Sequence, residues 1–155
     1  MVGLLWLAAT APNPGLNAAI AGLAIAAPAV VLGPLIGPFV DRLDRARLLF
    51  ASDAGSAALA PLIAVGYLVG GVPLASVIAG LAWTLRALAM SAFTAMFPDK
   101  VGQAHLVRAN GLNVSLTNAA LSIGALGAGL MATASALLPF GAATALYCLS
   151  AVAWL

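Results

Sequence analysis

Apolar residues fill long stretches of this chain, and short segments rich in proline, glycine or charge separate them. Within a stretch, apolar and polar positions do not alternate, so the pattern is that of helices and not of barrel strands. A helix needs roughly 20 residues, at about 1.5 Å each, to cross a bilayer. The pattern predicts six spans, of which the first and last are partial: 1–9, 17–40, 48–69, 74–97, 109–133 and 141–155.

The two partial spans, 1–9 and 141–155, are shorter than a bilayer crossing requires. Helix ends inside hydrocarbon would leave backbone polar groups without partners, at a cost of several kcal/mol each. We therefore expect the first and sixth helices to be clipped and the sequence to be a piece of a longer protein. The alternative is that Met1 is a true start and that the short first segment lies at the membrane interface.

Composition agrees with a membrane environment. Hydrophobic residues make up 64% of the 155 positions, charged residues 6%, and the mean hydropathy is +1.13. A soluble domain has about a quarter of its residues charged, so this chain cannot cover a water-facing surface. The predicted class is an all-α, polytopic membrane helical bundle.

Few residue types are present that could support catalysis or metal binding. The chain has no glutamate, one histidine (His105) and one cysteine (Cys148), and no nucleophile has a base at a recognisable spacing. We therefore predict that it is not an enzyme and has no cofactor, metal site or disulfide. A nucleic-acid partner is not expected either, because the basic residues lie in short loops instead of a broad patch.

Those basic loops predict the orientation. Segments 41–47 and 98–108 contain Arg42, Arg45, Arg47, Lys100 and Arg108, and the other breaks contain no Lys or Arg. By the positive-inside rule both segments face the cytoplasm. Alternation of the spans satisfies this without conflict, which predicts a multi-pass protein of the cell membrane.

The segment from Gly37 to Arg47 carries the most specific pattern. Gly37 permits close helix approach, and Asp41 lies at the inner end of a span, where it can pair with an arginine or face a helix N-terminus. Arg42, Arg45 and Arg47 surround the turn. Such a cluster can lock and release two helices as a bundle rocks. It can equally be an ordinary basic loop whose aspartates balance the charge.

This segment resembles the signature loop G-x-x-x-D-R-x-G-R-[RK] between the second and third helices of the major facilitator superfamily. Asp44 stands where that pattern has glycine, and Ala46 where it has a basic residue. The form Asp-Arg-x-Asp-Arg-x-Arg-Leu-Leu is similar to the siderophore-exporter and macrolide-efflux-like branch. Further similarities to that branch follow in order at 32–37, 51–53, 97–99, 107–113 and Asn118.

The resemblance implies the N-terminal six-helix half of that fold, with a second six-helix bundle as its missing partner. It implies transport of a small molecule across the lipid bilayer by alternating access, in the direction of efflux. Asp41, Arg42 and Arg45 are carried over as a conformational latch. The alternative is a non-transporting remnant or a small helical partner subunit.

Arg86 lies near the middle of the fourth span. An arginine there costs roughly 2.5–3.5 kcal/mol, so we expect it to line a cavity and pair with an anionic substrate or a coupling acid. A buried arginine bonded to backbone carbonyls, or one that reaches an interface, is the alternative. Asn118 is a second candidate for the cavity, although bonding between neighbouring helices is the favoured interpretation for it.

Asp53 lies a turn or two inside the third span, where a structural ion pair with a loop arginine is favoured over proton transport.

Small and polar residues predict helix packing. Gly124 to Gly129 resembles an antiporter motif of the fifth helix, but Ala125 replaces its proline and Ala128 one of its glycines. The predicted packing residues are Gly33, Asn110, Gly124, Gly127 and Gly129.

Overall fold

A computed structural model describes residues 2–40, 43–102 and 105–154, apart from the side chains at 29, 31–39 and 99. Within these ranges the fold is entirely helical, which confirms the predicted all-α class. The helices are α1 (Val2–Thr10), α2 (Pro14–Val40), α3 (Arg45–Val101), α4 (Leu106–Ala134) and α5 (Leu138–Val152). Their bounds differ from the predicted spans by only a few residues, with the third and fourth spans both contained in α3.

Helix α3 is interrupted at Gly71, where the backbone adopts φ 65° and ψ −158°. Only glycine adopts this region readily. The interruption lies inside the predicted Gly70–Pro73 break and divides α3 into α3a (45–70) and α3b (72–101). Pro73, close to the start of α3b, is tolerated there because the first helical N–H groups need no partner within the helix.

The two halves of α3 fold back on each other as an antiparallel hairpin. A Cβ at Gly66 would lie 2.7 Å from Ile78 Cδ1, and one at Gly55 would lie 2.7 Å from Leu85 Cδ1. Farther from the turn, Arg45 Nη1 donates a hydrogen bond of 3.2 Å to the backbone oxygen of Ala95. Contacts at matched distances on both sides of Gly71 require antiparallel halves, so the long helix is two helices in space.

Local hydrogen bonds define where the helices begin. The Asp44 carboxylate accepts bonds from the backbone N–H groups of Ala46 and Arg47, at 3.0 and 3.1 Å, and so caps α3. Between α1 and α2, Asn13 has φ 56°, a left-handed conformation that asparagine tolerates. The side chain of Asn17 closes the same turn by donating to the Pro12 carbonyl at 2.6 Å.

Two apolar clusters hold the bundle together, one near each end. The first joins α1, α2, the α3 hairpin turn and the start of α5 through Leu4, Leu7, Ala21, Val72 and Phe140. The second joins the end of α2 to both halves of α3 and is covered by Trp154; it contains Val40, Leu49, Ala89 and Ala92.

The ends of the bundle differ in charge. The end at the second cluster, here called the basic end, carries the starts of α3 and α4 and the end of α3b, and with them Arg45, Arg47, Lys100 and Arg108. The opposite, neutral end carries the turns near Asn13, Gly71 and Ser135, which have no charged side chain. The described basic residues of the two predicted loops thus lie at one end of the bundle.

Two helical segments within the described residues are long and apolar enough to cross a membrane. One is α3 over Arg45–Pro98, taken with the interruption at Gly71, and the other is α4 over Leu106–Ala134. None of the most apolar part of α4 is buried inside this chain. Large apolar side chains along α4 are exposed, among them Leu112, Leu116, Leu121, Ile123, Leu126 and Leu130. The predicted membrane class agrees with the structure at this level.

Candidate functional site

A cavity of about 520 Å³ lies among α1, both halves of α3, α4 and α5. It exists because α4 stands away from the hairpin and presents small residues to it. The α4 wall consists largely of Ala120, Gly124, Ala125, Gly127 and Ala128. No described atom lies within 4 Å of where a Cβ on Gly124 or Gly127 would be, so the space beside them is open. We call this the large cavity.

The lining of the large cavity is mostly apolar. Polar groups are contributed by Ser56, Trp83, Tyr147 and Arg86. Among the described residues that line it, Arg86 alone carries a formal charge. A single cation on an otherwise apolar wall is an arrangement that fixes the orientation of a ligand.

A smaller cavity of about 210 Å³ lies closer to the basic end and is more polar. Asp53 of α3a and Arg86 of α3b both line it. Asn113 and Thr117 of α4 line it as well, together with Ser150 of α5 and Trp154, which follows that helix. Arg86 therefore borders both cavities, between an apolar space and a polar one.

Asp53 is the best-defined group of the smaller cavity. Its side chain is buried, with 5% of the residue exposed. Ser150 Oγ and Trp154 Nε1 both donate hydrogen bonds to Asp53 Oδ2, at 2.5 and 3.0 Å. Ser150 lies in the last turn of α5, and Trp154 follows two residues after the helix ends at Val152. These bonds connect α5 to α3a and satisfy a carboxylate within apolar surroundings.

The predicted ion pair of Asp53 with a loop arginine is not formed within the described residues, where hydrogen bonds from Ser150 and Trp154 take its place. Arg42 lies outside the described residues, so the pairing as predicted remains a prediction. Arg86 is exposed in the cavities, and among the described residues it makes no hydrogen bond and no ion pair within 4 Å.

The predicted latch is described only in part. Asp41 and Arg42 lie outside the described residues, as does the environment of Gly37. Arg45 connects the start of α3a to the end of α3b through its bond to Ala95. Arg47 Nε lies 3.9 Å from the Asp44 carboxylate, but both side chains are largely exposed, and such a pair adds little stability.

The remaining predicted residues lie away from the cavities or beside open space. Asn118 is exposed and borders neither cavity; its backbone oxygen accepts a bond from Ser122 Oγ at 3.0 Å. Asn110 is exposed as well. Gly124, Gly127 and Gly129 have open space where a Cβ would be. Their role in helix packing stays a prediction, and the surroundings of Gly33 lie outside the described residues.

Sequence reasoning did not identify Ser150, Trp154 or Thr117. A signal for the first two was present in the predicted topology. Asp53 lies near the cytoplasmic end of the third span, and the sixth span would run toward that same side, which brings Ser150 and Trp154 to a similar depth. Polar groups at matching depths in a membrane are natural hydrogen-bonding partners.

No family model matches the chain, and neither does any curated protein or solved structure. The resemblance to the major facilitator superfamily therefore rests on the residues quoted above and stays a prediction.

Proposed function

We propose that this chain forms the N-terminal bundle of a secondary transporter of the major facilitator type, which exports a small molecule by alternating access. The observation that carries the proposal is the position of Arg86. A charged side chain from the middle of an apolar helix borders an open cavity between helices instead of packing against them.

The energetic argument concerns the arginine. Placing it against lipid at the bilayer centre costs roughly 2.5–3.5 kcal/mol, and this cost is avoided in a cavity that admits water or an anionic ligand. Intramembrane charges of this kind mark substrate and ion pathways. The volume of about 520 Å³ is in the range of small-molecule sites.

The membrane placement has its own support. Helix α4 exposes apolar side chains along its length, as a helix in contact with lipid or with a second bundle would do. Apart from Arg86, the described basic residues all lie at the basic end: Arg45, Arg47, Lys100 and Arg108. The positive-inside rule assigns that end to the cytoplasm. The proposal is therefore a multi-pass protein of the cell membrane that works together with a second six-helix bundle.

Alternating access can be tested without knowing the substrate. The exposed Cys148 is first replaced by alanine, and a cysteine is introduced at Ala125 on the wall of the large cavity. The protein is expressed at its native length, and a membrane-impermeant thiol reagent is applied to right-side-out and to inside-out vesicles. We expect labelling from both sides, because a transport cavity opens to each side in turn.

Ala46→Cys supplies the matched control. Ala46 is exposed at the basic end, so its cysteine should react only in inside-out vesicles. If Ala125→Cys reacts from one side alone while the control behaves as expected, the cavity does not alternate. The non-transporting partner subunit then becomes the better interpretation.

A further inference from the structure

We infer that the large cavity binds an apolar monoanion, a carboxylate or sulfonate whose charged group Arg86 binds and whose hydrocarbon body occupies the rest of the space. The inference rests on the proposed function and specifies the class of its substrate. It depends on one juxtaposition: a guanidinium that has no partner among the described residues lies at the edge of a cavity whose other described lining residues are uncharged and mostly apolar.

The sign and the number of charges on the ligand follow from the residues that line the large cavity. Arg86 is its one formal charge among the described residues, and no carboxylate lines it. A cation would meet like charge with nothing to offset it. A dianion would carry one charge into apolar surroundings without a partner, at a large desolvation cost. A monoanion leaves no charge uncompensated.

Arg86 has its hydrogen-bonding capacity available for a ligand. Asp53 is the described carboxylate that shares the smaller cavity with Arg86, yet the two form no ion pair within 4 Å. Asp53 Oδ2 is already bonded by Ser150 and Trp154. A guanidinium has five N–H donors in a planar fork that suits a carboxylate or sulfonate.

The apolar body is indicated by the rest of the wall. Ile25, Ile63, Phe140 and Leu146 border the large cavity, and the open space beside Gly124 extends it toward α4. Burying apolar surface gains about 25 cal/mol per Å², so a hydrocarbon ligand benefits where a polar one would lose its hydration.

The test uses three probes that share one ring system: naphthalene-2-sulfonate, naphthalene-2,6-disulfonate and protonated 2-naphthylmethylamine. Binding to the protein at its native length, in nanodiscs of uncharged lipid, is measured by titration calorimetry against empty nanodiscs. We expect the monosulfonate to bind about tenfold or more tightly than the amine, because its sulfonate accepts charge-assisted hydrogen bonds from Arg86 and the protonated amine cannot. The disulfonate should bind more weakly than the monosulfonate.

Variants connect the selectivity to Arg86. Arg86→Gln should weaken sulfonate binding about tenfold or more while leaving amine binding no weaker, and Arg86→Lys should restore part of the loss. Arg108→Gln makes the same change of charge on an exposed residue at the start of α4 and should leave binding unchanged. Circular dichroism and size-exclusion chromatography confirm that each variant is folded.

Three outcomes would overturn the inference: no sulfonate binding to the unmodified protein, equal binding of sulfonate and amine, or Arg86→Lys binding no better than Arg86→Gln. The labelling of Ala125→Cys separates this failure from failure of the proposed function. Labelling from both sides without sulfonate selectivity retains the transporter and refutes its substrate class. Arg86-dependent sulfonate binding with one-sided labelling retains the binding site and refutes transport.

Discussion

At the scale of single residues, Asp53 illustrates how neutral donors hold a carboxylate in an apolar bundle, since no cation among the described residues pairs with it. The donors Ser150 Oγ, in the last turn of α5, and Trp154 Nε1, just after it, converge on one oxygen about a hundred positions away along the chain. Hydrogen bonds to a charged acceptor contribute about 1.5–3 kcal/mol each, more than bonds between neutral groups. The bonds therefore fix the position of α5 against α3a, and Arg86, which lines the same smaller cavity, has no partner among the described residues.

We predict that Asp53 and Ser150 are energetically coupled. In a double-mutant cycle of Asp53→Ala and Ser150→Ala, the free energy of unfolding should show a coupling of about 1 kcal/mol, since either change alone removes the same bond. Unfolding in detergent micelles titrated with sodium dodecyl sulfate provides the measurement. Ser122→Ala is the control, because Ser122 bonds only a carbonyl of its own helix. Equal coupling of both serines to Asp53 would contradict the assignment.

At the scale of elements, the hairpin in α3 depends on one residue. Gly71 takes φ 65° and ψ −158°, a conformation that an L-residue with a Cβ avoids. Without this turn, α3 would continue as a rod too long for a compact bundle, and Arg45 would not reach Ala95. A residue at position 71 that cannot adopt this backbone conformation would thus disturb the packing of α3a against α3b.

Gly71→Ala should lower the free energy of unfolding by about 1–3 kcal/mol, the cost of a residue held in that region of φ and ψ. Gly111→Ala provides a matched change in the interior of α4, where no described atom lies within 4 Å of the new Cβ. There alanine should stabilise by about 0.5–1 kcal/mol through its helix propensity. If both variants shift the unfolding midpoint in the same direction, Gly71 is not the strained position.

At the scale of the whole molecule, the helices are packed unevenly. Helix α2 approaches α3b closely at Gly80, where a Cβ would lie 2.7 Å from the backbone oxygen of Ala24. Helix α4, by contrast, has little of its surface buried by the other helices, and it forms one wall of the large cavity. A core of α1, α2, the α3 hairpin and α5 thus carries α4 at its side.

Gly80→Ala should destabilise the protein by about 1–3 kcal/mol, because the clash is with backbone and either helix must move. Gly22→Ala, also in a helix but beside open space, should be neutral or stabilising by about 0.5–1 kcal/mol. The same unfolding titration measures both. Equal stability of the two variants would show that α2 and α3b do not meet at Gly80 in the membrane.

The sequence alone predicted the all-helical class, the approximate bounds of each helix and the interruption near Gly71. These features are local: a helix satisfies its backbone hydrogen bonds within its own segment, and glycine, proline and charge mark where it ends. The gathering of basic residues at one end followed as well, since helices joined by short connections must alternate in direction.

Tertiary structure decided which helix faces meet. In a chain this apolar, faces toward lipid, cavity and neighbouring helix consist of the same residue types, so their pattern does not distinguish them. The bonds of Asp53 to Ser150 and Trp154, the approach of Gly80 to Ala24 and the open space beside Gly124 all depend on packing between segments far apart in sequence. The sequence thus determined the helices and their ends, whereas packing determined the cavity that Arg86 borders.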